Sequence, residues 1–348
     1  MQRFLRRPGA LAVAAWLAGL PLAGAVAAHG PVPATAPDAL TIVLGWTFEP
    51  LVAIPLAAVA LGWLVMVDRI DRAHPASPVP VLRTAAFVGG LAMIALALMS
   101  GIERYDTTLF SIHMIQHLLL MLVAAPLLVL AAPVTQLLRV ASPGIRQGWI
   151  MPLLHSPVIA AVGHPAVAAV TFTAVLWVSH FSPLFDLALE DRFVHDLEHV
   201  LFLGAALLFW WPVVAIDPVR IRMGHAARVL YLLVQMPLSS FLAMAVLFAD
   251  APLYQHYATL GSPYGITALA DQQLAAGIMW VITDVVFITA ILAVVWGWMR
   301  KESRDAPAEE RRADVQRALL RTRADSLAAR KLVEAQAPDG SGDPSSSR

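Results

Sequence analysis

Seven nearly unbroken apolar stretches dominate the chain, near residues 41–67, 84–101, 108–132, 164–182, 193–215, 228–249 and 271–299. A helix crosses a hydrocarbon core with about 20 such residues. The pattern therefore predicts an all-α, polytopic membrane bundle of about seven transmembrane helices. Ahead of it, Arg3, Arg6 and Arg7 precede the apolar run ALAVAAWLAGLPLAGAVAA, and Ala25-Val26-Ala27 fits a small-residue cleavage site. Residues 1–28 read as a signal sequence, with an uncleaved helix as the alternative. Residues 29–40 then form a short outer segment, 41–299 the membrane domain and 300–348 a tail.

Polar positions orient the bundle. Arg69, Arg72 and Arg83 follow the first stretch, Arg139 and Arg146 the third, and Arg220, Arg222 and Arg228 the fifth. Arg300 and Lys301 open the tail, whereas the alternate loops carry only Arg104, only Arg192, and then none. Cytoplasmic loops carry the excess of Lys and Arg, so the N-terminus is expected outside and the C-terminus in the cytoplasm. The start of the tail, EERRADVQRALLRTRADSLAARKLVEAQ, spaces Leu319, Leu320 and Leu327 as a helix would. APDGSGDPSSSR has the composition of disorder.

Composition adds two constraints. Of 24 Lys/Arg and 24 Asp/Glu, 11 and 9 lie from Arg300 onward, so the body before it cannot present a charged surface to water. The lipid bilayer is the expected surrounding, no nucleic-acid partner is implied, and the zero net charge says nothing further. The chain has no cysteine, which excludes disulfides and thiolate metal sites.

The remaining signal is histidine. His74, His155, His164 and His225 fall in or beside the cytoplasmic loops. The others gather at the outer end: His113 and His117 early in the third stretch, His180 at the end of the fourth, His195 and His199 opening the fifth, and His256 in the last outer loop. HMIQH and HDLEH each place two imidazoles four residues apart, on one face of a helix. Ionisable groups inside a membrane usually face the bundle interior and mark a site. Four imidazoles at one depth suit copper or zinc, with iron a further candidate. The candidate ligands are His113, His117, His195, His199 and then His180. Gln116, Asp196, Glu198 and Asp271 are the candidate acceptors that orient the rings. The outer ends of the third and fifth spans should then adjoin. Met114 and Met121 are soft donors suited to Cu(I), although methionine in such a helix more often simply packs.

Other readings stay open. Neutral histidines also hydrogen-bond within bundles. HDLEH matches H-x-x-E-H, a reversed zinc-protease pattern with Glu198 as general base, but this leaves the HMIQH pair unexplained. Haem held by histidines of different spans normally needs pairs at matched depths across the bilayer, and only one end is populated. Asp284, halfway along the last span, is either an ion or proton relay or a structural acid bonded to a backbone carbonyl or Gln235. His29 would become the mature N-terminus if cleavage follows Ala28, and its amine and imidazole together would chelate Cu(II).

FSIHMIQHLLLMLVAAPLLVLAAP resembles the central signature of the CtaG-type cytochrome c oxidase assembly proteins, and HDLEHVLFLGAALLFWWPVV is similar to the family's next block. DAPLYQHYA and LADQQLAAGIMWVITD are similar to its last outer loop and final helix. The resemblance covers roughly residues 40–300. It implies a multi-pass protein of the bacterial inner membrane, about seven helices, and a role in building an aa3-like oxidase connected with copper supply. The expected function is therefore non-enzymatic. Copper would be held near the periplasmic face and passed by ligand exchange to an oxidase subunit or a periplasmic copper chaperone. A copper importer is the alternative.

Overall fold

The computed structural model describes residues 32–218 and 221–336. The expectations for the signal sequence, His29, Arg220 and the final APDGSGDPSSSR lie outside the described residues. Among those described, all regular structure is helical. Six helices are long and apolar enough to cross a membrane: Pro50–Ala73, Val81–Tyr105, Phe110–Val140, Arg192–Val214, His225–Leu247 and Ala268–Pro307. A bent pair, Pro165–His180 and Leu184–Glu190, makes a seventh if counted as one span. They are numbered here as seven spans in chain order. The fourth turns by 69° at its break, where Pro183 cannot supply a helical N–H.

The third span is not uniform. Pro126 lacks an N–H and its ring would crowd the Leu122 carbonyl four residues back. The chain answers with a π-helical turn over Leu119–Ala124, in which the Ala125 N–H reaches back to the Leu120 carbonyl. The indole Nε1–H of Trp210, on the fifth span, donates to the Met121 carbonyl at 2.9 Å inside this turn. That bond pins the third and fifth spans together just past His117.

The first three spans share an apolar core. Trp63 and Phe87 stack at 4.0 Å. At Gly90 a Cβ would lie 2.8 Å from Leu128 Cγ and 3.2 Å from the Ala124 carbonyl, so any larger residue there would push Leu128 aside or the second and third spans apart. The first and fifth spans meet at their starts, where Arg192 pairs with Glu49 at 2.7 Å. Asp191 caps the fifth span by accepting the Val194 N–H at 3.0 Å, which starts that helix at Arg192, three residues before His195.

The chain divides into a unit up to Leu292 and a second unit from Ala293. The second unit continues as helix to Gln336, and Leu319, Leu320 and Leu327 are exposed on it.

Candidate metal centre

Both histidine pairs lie on buried helix faces. On the third span His113, Gln116 and His117 are buried, and on the fifth His195, Glu198 and His199. The two triplets share one spacing, i, i+3 and i+4, which places each on a single face. The faces meet. Ring centroids are 5.3 Å apart for His113 and His195, and 5.7 Å for His117 and His199.

The middle residues of the triplets cross over. Glu198 Oε2 lies 3.8 Å from Nε2 of His113 and 3.8 Å from Nε2 of His117. Gln116 Oε1 lies 3.1 Å from His199 Nε2. The Gln116 amide nitrogen donates to Glu103 (2.6 Å) and to the Ala97 carbonyl (3.0 Å). The Ala97 carbonyl can only accept, so the Gln116 nitrogen faces it, the Gln116 oxygen faces His199, and His199 Nε2–H is the donor. His199 would reach a metal only through Nδ1.

Two acids that sequence reasoning passed over complete the cluster. Asp106 is buried beside His195, with Oδ2 at 3.6 Å from Nε2, and its Oδ1 accepts the Thr107 N–H at 2.5 Å. Burial, reinforced by the nearby Glu103 carboxylate, pushes the Asp106 carboxyl well above the usual range. Glu103 is also buried. Their signal in the sequence is GIERYD, two acids three residues apart at the apolar second span's end. Placing Asp106 against the fifth span, however, needs the tertiary fold.

The ligand atoms form two overlapping sets, His113–His117–Glu198 and Asp106–His113–His195, each with its atoms within 4.8 Å of one another. His113 belongs to both. Four-coordinate donors at about 2.0–2.1 Å from an ion stand roughly 3.3–3.4 Å apart. The His–carboxylate separations of 3.6 and 3.8 Å are a few tenths wider than that, and the sets as a whole stay within 4.8 Å, so binding an ion would draw the donors inward.

Polar accounting points the same way. Neither ring nitrogen of His113 or His117 has a hydrogen-bond partner, nor has Glu198 Oε2 or Asp106 Oδ2. Buried polar groups are normally satisfied, and leaving one bare costs about 1–3 kcal/mol. Glu103, Asp106 and Glu198 are buried, yet among the described residues no Lys or Arg is. A cation held by the ring nitrogens and carboxylates would satisfy both deficits.

The remaining candidates stand elsewhere. His180 is buried but belongs to neither donor set. Asp196 is exposed. Asp271 accepts the Ser111 N–H at 3.3 Å, at the start of the third span. Asp284 accepts from Ser240 Oγ at 3.0 Å, whereas Gln235 accepts from Thr173. His256 contacts the Thr107 carbonyl at 2.8 Å. Beside it Tyr257 donates to the Asp106 carbonyl at 2.5 Å. At this end Phe185 stacks on Tyr254 at 4.1 Å, Phe110 meets Tyr254 edge-on at 4.8 Å, and the Phe185 ring lies 5.1 Å from that of His113.

The fold and site define a polytopic membrane protein with an imidazole–carboxylate cluster buried at one end of its bundle. The chain belongs to the cytochrome c oxidase caa3 assembly factor family (Caa3_CtaG), whose model matches residues 61–301. It is 32% identical over 292 residues to uncharacterized proteins of Mycobacterium bovis and Mycobacterium tuberculosis, covering 82% of this chain and 43% of theirs. An uncharacterized protein of Mycobacterium leprae is 30% identical over 277 residues, covering 77% of this chain and 42% of its own. The chain thus spans less than half the length of the curated relatives it matches. No solved structure matches it.

Proposed function

We propose that the chain serves the assembly of a haem–copper cytochrome c oxidase by holding copper at this cluster and passing it on by ligand exchange. The site would face the periplasm, and the recipient would be an oxidase subunit or a periplasmic copper chaperone. One observation carries the reading: the ring nitrogens of His113 and His117 are buried without hydrogen-bond partners, and both Nε2 atoms lie 3.8 Å from Glu198 Oε2. Imidazole and carboxylate donors suit Cu(II) and Zn(II), and copper binds more tightly in such sets. Membership of an oxidase assembly family favours copper as cargo. Here Glu198 acts as a ligand, which departs from the general-base role of the reversed protease pattern.

The test is metal content. Protein purified from copper-supplemented cells is expected to carry copper, and the variant with His113, His117, His195 and His199 all replaced by Ala is expected to carry none. Equal copper in both would end the proposal.

A copper importer is the second reading, because polar side chains continue beyond the histidines. Ser239 and Thr283 line a cavity next to His117, and the Ser240–Asp284 pair follows at the adjacent positions. Copper accumulation inside proteoliposomes, abolished by Asp284→Leu, would favour import over handover.

A further inference from the structure

His180 and His117 face a space that the imidazole–carboxylate cluster does not use. A cavity of about 20 Å³ lies between the third, fourth, fifth, sixth and seventh spans. It has room for one water-sized occupant. Its lining includes His117, His180, Met114, Met121, Met279 and Ser239, all buried.

The histidine at its wall is held in one tautomer. His180 Nδ1 sits 2.8 Å from the Leu176 carbonyl. A carbonyl only accepts, so Nδ1 carries the proton and Nε2 presents a lone pair. That Nε2 is buried with no hydrogen-bond partner, as are the nitrogens of His117 and the hydroxyl of Ser239. Fixing one ring nitrogen through a backbone carbonyl is how proteins orient a metal-binding histidine. Around these bare polar atoms stand three thioether side chains. A single water bonded to His180 Nε2 and Ser239 Oγ is the competing occupant, and the three thioethers are what favours a soft ion over it.

We propose that this cavity is a second metal position, selective for a soft monovalent ion, Cu(I), and formed by His117, His180 and the thioethers of Met114, Met121 and Met279. Thioethers select Cu(I) and bind divalent ions poorly, so the two positions differ in the ion they hold. His117 belongs to both and makes them neighbouring stations for one ion. The inference rests on the reading that the chain handles copper, and it is tested separately from the outer cluster.

The full-length protein in detergent is titrated with Ag(I), a redox-inert stand-in for Cu(I), and independently with Cu(II). His180→Ala, Met114→Leu and Met121→Leu are each expected to weaken Ag(I) binding roughly tenfold or more while leaving Cu(II) binding in place. His195→Ala with Glu198→Gln is expected to do the reverse. X-ray absorption at the silver edge should show sulfur among the nearest scatterers. Leu nearly conserves the volume of Met, so the Met→Leu variants keep the test valid if His180→Ala fails to fold. Wild-type Ag(I) affinity in both Met→Leu variants, no Ag(I) binding by the wild type, or a nearest shell of nitrogen and oxygen alone would overturn the proposal. Retained Cu(II) in the His195→Ala, Glu198→Gln protein, with Ag(I) still lost from the inner variants, would instead remove the outer cluster and leave this cavity standing.

Discussion

Asp106 and Asp217 are both buried aspartates outside the long spans, and the structure treats them oppositely. Asp217 is fully used. Its Oδ1 accepts Thr135 N–H and Oγ1–H at 2.7 and 2.6 Å, and its Oδ2 accepts the Val134 N–H at 3.2 Å. Those donors open the helix Pro133–Val140, where a carboxylate also meets the positive end of the helix dipole. Asp106 is half used: Oδ1 holds Thr107, and Oδ2 has no hydrogen-bond partner beside His195. The first carboxylate fastens a connection, the second leaves a donor atom uncommitted among imidazoles. Burial alone therefore says little about role, and the accounting of each lone pair says more.

The sharpest way to break this comparison is His113→Ala. His113 is common to both donor sets, so its loss should abolish copper binding by the outer cluster while the melting temperature in detergent stays within a few degrees. Asp217→Ala should behave inversely. Leaving the Val134 and Thr135 donors unpaired costs about 1–3 kcal/mol, and each 1 kcal/mol shifts the melting temperature by about 2–4 °C for a domain of 150–250 residues. Copper content should be unchanged. If Asp217→Ala lost copper and kept its stability, the contrast between the two aspartates would be wrong.

A smaller effect sharpens the same contrast through pH. Asp106 is raised in the folded protein, chiefly by burial and then by Glu103. A group raised on folding binds more protons folded than unfolded, so stability must fall as pH rises. The loss begins near the ordinary aspartate value of about 3.9 and runs up through the elevated one. Without metal, the protein should melt higher in mild acid than at neutral pH on this account, and Asp106→Asn should flatten the slope. Copper requires the deprotonated carboxylate and neutral imidazoles, so its stabilisation should run the other way, strengthening as pH rises. Melting curves across pH, with and without copper, test both signs. An unchanged slope in metal-free Asp106→Asn protein would remove Asp106 as its source.

The sequence made some of this visible and hid the rest for physical reasons. Long apolar runs announce spans because lipid tolerates little else, and i, i+4 histidine pairs announce a shared face because helix geometry is fixed. Asp106 was hidden because it stands in a short connection, and only the packing of the second, third and fifth spans brings it to His195. His180 was legible as an outer-end histidine, but its separation from the pairs was not. The break near Ser182–Pro183 and the Leu176 carbonyl direct its ring to the cavity. Asp196 and Glu198 look alike in HDLEH, yet a rotation of about 200° along the helix puts one outside and the other among the rings.

Asp284 supplies the smallest expected effect, and it extends the comparison to a third acid. It is half-buried on the seventh span and accepts one hydrogen bond, from Ser240 Oγ. A hydroxyl partner within the bundle is the signature of a fastening group, like Asp217 but with one donor in place of three. Interhelical hydrogen bonds of this kind in membranes average about 0.6 kcal/mol. Asp284→Asn keeps an acceptor oxygen for Ser240 and removes the titratable carboxyl, so it should move the melting temperature by little and leave copper content at the wild-type value. A relay group behaves differently, since an amide cannot take up and release a proton. The deciding measurement is oxidase activity in membranes of a strain carrying Asp284→Asn as its sole copy, normalised to the amount of this protein. Wild-type activity would set Asp284 with Asp217 as a structural acid. Loss of activity at normal abundance and normal copper content would move it to the side of Asp106 and give the importer reading its missing step.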